Sequence, residues 1–159
     1  MGTINDYTGG KVLEDISKAL NVFRSTEEKL HKTEIGQKML RNIQAFEPIV
    51  ITMELAVEYI RKAKKIAVGE RVCRALNPDS DFTESVFLDE LSDAMVKAGM
   101  AKKCTEEEAK TALRKYPDNP LILSKVSEKH AEICRSYPKE CVYWLAEKRG
   151  IRCLSGKLR

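Results

Sequence analysis

Between Val12 and Phe23 the apolar residues Val12, Leu13, Ile16, Ala19, Leu20 and Phe23 recur every three or four positions, the period of an amphipathic helix, after a flexible "TGG". "STEE" announces a second helix, because Ser25 is placed to cap exposed amides and Glu28, three residues on, closes a capping box. Its inner stripe is Leu30, Ile35, Met39, Ile43 and Phe46. Pro48 suits a first helical turn, where its missing N–H is no loss. The stripe Ile49, Met53, Ala56, Val57, Ile60, Ala63 and Ala67 then predicts a third helix that runs past Gly69 toward Leu76. "PIVITM" is also rich in β-branched residues, so a strand is the alternative there; the helical period is preferred.

"NPDSD" at 77–81 is a cluster of turn formers and the best internal boundary. After it, Asp81 or Thr83 is expected to cap a helix with Val86, Phe87, Leu91, Ala94, Met95 and Ala98 inside and Gly99 at its end. Thr105 and Glu108 form another capping box, with three acids at the positive end of the helix dipole. "YPDNP" forces a turn. Asn119 and Pro120 start a helix that carries Leu121, Ile122, Val126, Ile133 and Cys134 inward; Pro138 helps begin the last helix, and Gly150 ends it. The pattern predicts an all-α fold, a compact bundle of six to seven short helices. It forms a single helical domain over 1–159, with a sub-boundary at 77–81 between an N-terminal three-helix part and a cysteine-containing C-terminal part.

Composition adds three points. At 159 residues and 43% hydrophobic, the chain can bury a core without staples, and 33% charged against 6% aromatic residues predicts a soluble chain with an aliphatic interior. The net charge of +4 is uneven: residues 1–50 sum to zero, 51–100 to −2 and 101–159 to +6. That asymmetry marks either contact with nucleic acid, an acidic partner or an anionic cofactor, or a solvated surface. With no secretory signal, lipidation motif or long apolar run, the chain is expected in the cytoplasm, away from membranes.

Cysteine carries the candidate chemistry. Cys134, Cys141 and Cys153 fall within twenty residues, and five cysteines in a reducing compartment point away from a disulfide framework. Four thiolates are the usual complement for an iron–sulfur cluster or structural zinc, and Cys73, just before a turn, is the preferred fourth ligand over Cys104. Arg74, Arg135 and Arg152 stand next to three of these cysteines, where guanidinium groups offset the negative charge of a thiolate-held cluster. The expected function is therefore a small metal-binding protein, an iron–sulfur cluster ahead of zinc, acting as an electron-transfer or accessory subunit with a protein redox partner.

The spacings weaken this reading, since zinc knuckles and ferredoxin runs place cysteines two residues apart. Geometry constrains it too: a helix over 139–149 puts Cys141 and Gly150 about 13 Å apart, and the tail reaches back only about 10 Å unless it folds along the helix. The competing reading buries Cys134 and Cys141 as small apolar side chains. Cys104, behind Lys102 and Lys103 at a helix start, is a candidate reactive thiol or an ordinary loop cysteine. His130 shares a helical face with Cys134 as a possible ligand, yet its polar neighbours fit a surface residue, as do those of His31. Phosphate loops, G-x-S-x-G and H-E-x-x-H are absent, which argues against an independent enzyme. The rival function is a metal-free helical interaction module whose basic C-terminal third binds an acidic partner or nucleic acid. "RKAKK" at 61–65 would then touch phosphates and Tyr143 and Trp144 stack on bases, although both aromatics also suit the core.

Overall fold

Residues 121–135, which the periodicity assigns to one helix, fold instead as a β-hairpin at the centre of a sheet. The computed structural model describes residues 2–81 and 84–156. In chain order they form α1 (Ile4–Thr8), α2 (Lys11–Ser25), α3 (Glu34–Gln44), β1 (Ile49–Ile51), α4 (Met53–Lys62), β2 (Ile66–Glu70), a 3-10 turn (Val72–Leu76), β3 (Glu84–Leu88) and α5 (Asp89–Lys97). β4 (Ala101–Lys103), α6 (Glu106–Arg114), β5 (Leu121–Val126), β6 (Lys129–Arg135), α7 (Val142–Lys148) and β7 (Ser155–Gly156) follow. The strands join in one mixed sheet of order β4-β2-β3-β6-β5-β1-β7, antiparallel except for β1 beside β7. The all-α bundle is thus corrected to an α/β fold with helices on both faces of a sheet.

Three of the expected helices contain strands. Ile49–Ile51 pairs with Leu121–Leu123, so Pro48 precedes a strand and the third helix shrinks to Met53–Lys62, capped by Thr52. Glu84–Leu88 pairs with β2 and β6, and α5 begins only at Asp89, which holds φ +53 at the strand-to-helix junction. Of its two expected caps, Thr83 lies outside the described residues. Pro120 opens β5 rather than a helix. The hairpin turn Ser127–Glu128 has both residues at positive φ, +50 and +69, without the glycine or asparagine that such turns favour. It is held from outside: Ser127 N–H donates to the Gly2 carbonyl at 2.7 Å, and Ile4 N–H donates to Ser127 Oγ at 2.8 Å. The expected boundary at 77–81 lies on the connection between β2 and β3, which pair along five residues.

Register assigns side chains to faces, because directly opposed residues share a side. Val86, Leu88, Leu121, Leu123, Ile133 and Ile51 point to one face, where Ala56 and Ile60 of α4 and Ala109 and Leu113 of α6 close the core. Ser85, Phe87, Glu132, Cys134, Ile122 and Ser124 point to the other. There α2, α3 and α7 gather around Ile122, while α1 and α5 gather around Phe87.

Candidate functional site: a polar cavity under α2 and α3

On that second face the helices do not seal the sheet. A cavity of about 580 Å³ lies between α2, α3 and the strands. Val12, Ile16, Ala19 and Val22 from α2 and Ile35, Met39 and Ile43 from α3 form its apolar walls, and Lys11, Asp15, Lys18 and Lys38 stand at its rim. β5 and β6 lay Ile122, Ser124, Glu132 and Cys134 on its floor, joined by Arg71, Cys73, Cys141, Tyr7 and Tyr143.

The floor is polar and largely buried. Glu132 is 8% exposed and accepts from the Tyr7 hydroxyl at 2.6 Å. Burial raises the Glu132 carboxyl above its ordinary range, against the opposing pull of the Tyr7 and Ser85 hydroxyls and the Arg71 charge. Burial likewise lifts Tyr7 and Tyr143 well above the usual phenol value, so both remain neutral donors. Ser124 Oγ and the Tyr143 hydroxyl are 3.4 Å apart. Arg71, 2% exposed, donates through Nη2 to Glu140 Oε2 at 2.8 Å and to Ser80 Oγ at 3.0 Å, and Ser80 Oγ also donates to Glu140 at 2.8 Å.

Of the four expected metal ligands, the fold brings Cys73, Cys134 and Cys141 to this one cavity. Each is pushed up to about 12, chiefly by burial and then by its neighbours, with Arg71 pulling the other way. All three are therefore neutral thiols at physiological pH. Cys153 is not among the lining residues. The tail folds back along α7, so that Glu147 Oε2 accepts from the Cys153 and Leu154 amides at 2.7 and 3.2 Å, and Cys153 Sγ reaches the Tyr143 carbonyl at 3.5 Å. Among the described residues, no three His, Cys, Asp or Glu side chains stand where they could share a metal ion. No ligand cluster for the expected iron–sulfur or zinc centre is thus found among the described residues.

The three arginines expected around a cluster go elsewhere. Arg135 points to the opposite face and donates to the Leu113 and Asn119 carbonyls at 2.7 and 2.6 Å. Arg74 donates to the Ser80 carbonyl and faces Glu70 at 3.6 Å, while the exposed Arg152 lies 3.7 Å from Glu147. The cation beside the thiols is Arg71, two residues before Cys73 where strand β2 gives way to the 3-10 turn, a position no helical periodicity singles out. Glu132 is equally hidden, because a strand buried on both faces shows no clean alternation of polar and apolar positions.

The other candidates resolve simply. Burial and Glu108 raise the Cys104 thiol instead of activating it. His130 lies on β6, its ring 6.5 Å from that of Tyr59, and does not line the cavity. Several cations of the basic C-terminal third are engaged within the fold. Arg149 donates to the Phe23 and Thr26 carbonyls, Lys125 pairs with Glu47 and Lys129 with Asp89. In "RKAKK", Arg61 pairs with Glu106 and Lys65 with Asp93. Trp144 donates to Ser136 Oγ at 3.0 Å and, like Tyr143, packs against the α2–α7 core. Among the described residues no helix is long and apolar enough to cross a membrane.

No protein-family model matches the chain, and neither a curated protein nor a solved structure matches it.

Proposed function

We propose that this protein binds a small, largely apolar organic molecule in the cavity between α2, α3 and the sheet. The observation that carries this reading is the asymmetry of β5 and β6. Leu123 and Ile133 enter a closed hydrocarbon core, whereas Ser124, Glu132 and Cys134 enter an open space of about 580 Å³. Buried polar groups cost stability unless they have partners, and a concave apolar site with a few convergent polar groups is the usual form of a ligand pocket. The volume falls within the ~300–1,000 Å³ typical of such sites. Neutral thiols suit this role as soft, polarisable wall atoms. All five cysteines are thiols rather than disulfide halves, which supports placing the protein in a reducing compartment such as the cytoplasm.

The test is titration with the neutral fluorophore N-phenyl-1-naphthylamine. Saturable one-to-one binding is expected, and Ala19→Trp, which fills the cavity from α2, is expected to abolish it while leaving the circular dichroism unchanged. Absence of binding, or equal binding by the folded variant, would overturn the reading. So would protein that emerges from anaerobic purification brown or with stoichiometric zinc, lost in Cys134→Ser, since the space would then house a metal centre.

A further inference from the structure

We infer that the occupant is an uncharged apolar alcohol whose hydroxyl docks on the Ser124–Tyr143 pair at the cavity floor. This rests on the cavity being a ligand site and deepens it by fixing the charge and the hydrogen-bonding group of the end that points inward. Ser124 is 4% exposed, and both side chains line the cavity. Their oxygens stand 3.4 Å apart, beyond the about 2.5–3.0 Å of a well-made O–H···O bond. A third oxygen can sit about 2.8 Å from both and complete two good bonds in place of one poor one. Serine and tyrosine hydroxyls each donate and accept. A ligand hydroxyl therefore donates to one and accepts from the other, whereas an ether oxygen only accepts.

The surroundings exclude a charged end. Arg71 is committed to Glu140 at 2.8 Å and to Ser80 at 3.0 Å, so the guanidinium is compensated within the fold. Among the described lining residues Glu132 is the one carboxyl away from the rim. Burial biases it toward the neutral form, and its Oε1 already accepts from Tyr7. The three thiols and both tyrosines also carry no charge near neutral pH. A carboxylate or ammonium brought to this floor would lose its hydration without gaining a counter-ion, a large cost in a buried setting. The rim adds little steering, since Lys11 pairs with Asp15 and Lys18 with Glu14 at 3.0 Å each. Between rim and floor the walls are hydrocarbon, notably Ile16 of α2 and Met39 of α3, which fits an apolar body behind the hydroxyl.

Calorimetry of the full chain near neutral pH with 1-octanol, octyl methyl ether, octanoate and octyltrimethylammonium tests this directly. Octanol is expected to bind at least about fivefold more tightly than the ether, and both charged compounds more weakly than the ether. The double variant Ser124→Ala with Tyr143→Phe is expected to erase the preference for the alcohol over the ether. Equal affinity for alcohol and ether, tighter binding of either charged compound, or a preference that survives in the folded double variant would overturn the inference. Should the double variant fail to fold, the comparison of the four compounds on the unaltered protein decides alone. Failure of the neutral fluorophore to bind would remove the cavity reading itself. Fluorophore binding that Ala19→Trp abolishes, together with equal affinity for alcohol and ether, would remove only the hydroxyl.

Discussion

The two faces of the sheet receive alternate residues of the same strands and use them differently. On one face Leu121, Leu123 and Ile133 interlock with α4 and α6, and the long polar side chain of Arg135 is spent on backbone carbonyls. On the other face the same β6 offers Glu132 and Cys134 to an unfilled space under α2 and α3. A close-packed face is where stability accumulates; a face that keeps polar groups beside a cavity forgoes some of it. The contrast teaches that close packing and open space have been assigned to opposite sides of one sheet.

The largest test of this division is a pair of neighbouring truncations. Ile133→Ala is expected to cost about 2–5 kcal/mol in urea unfolding, because its site cannot collapse. Cys134→Ala, one residue on, removes atoms already beside a cavity and is expected to cost about 1 kcal/mol or less. Comparable losses at both positions would mean that both faces are equally packed.

A smaller effect is set by alkali. Unfolded thiols ionise near 9, whereas Cys73, Cys134 and Cys141 hold their protons up to about 12. The unfolded chain then binds fewer protons, so stability is full below about pH 9 and falls as pH rises toward 12. The expected loss is of order 1 kcal/mol per thiol by about pH 10. Replacing any of the three by alanine should flatten that slope, as seen in urea midpoints at increasing pH.

Smallest is the contribution of Glu132. Its raised carboxyl makes stability greatest below the ordinary carboxylate value of 4.5 and lower as pH climbs above it. Glu132→Gln should remove that decline without altering the fold; a slope that persists in the variant would place its origin elsewhere.

What was legible in the sequence follows from which elements have one wet side. α2 matches its stripe, Thr105 and Glu108 bond as a capping box at 3.1 Å each way, and Gly99 and Gly150 end helices at positive φ. The Ser25–Glu28 box does not form. Ser25 closes α2 by donating to the Val22 carbonyl, and the next helix waits for Thr33. Strands buried on both sides lose the alternation that would identify them, so "LILSKV" and "HAEICR" read as helix. A register shift at Ser124/Lys125 and a turn without glycine removed the remaining hairpin signals. At the site, the crowding of cysteines pointed to the right region. Arg71, Glu132 and Tyr7 could not be picked out, because their meeting depends on sheet register and on α1 docking more than a hundred residues away in sequence.

That docking sets an order of assembly. The bonds from Gly2 and Ile4 to Ser127 brace a turn whose own residues disfavour it, so the central ribbon and the opening segment depend on each other across most of the polypeptide. Such distant closure is slow to reach. A nascent chain would therefore lack the cavity floor until β5 and β6 had emerged, and the cavity would be among the last parts of the molecule to close.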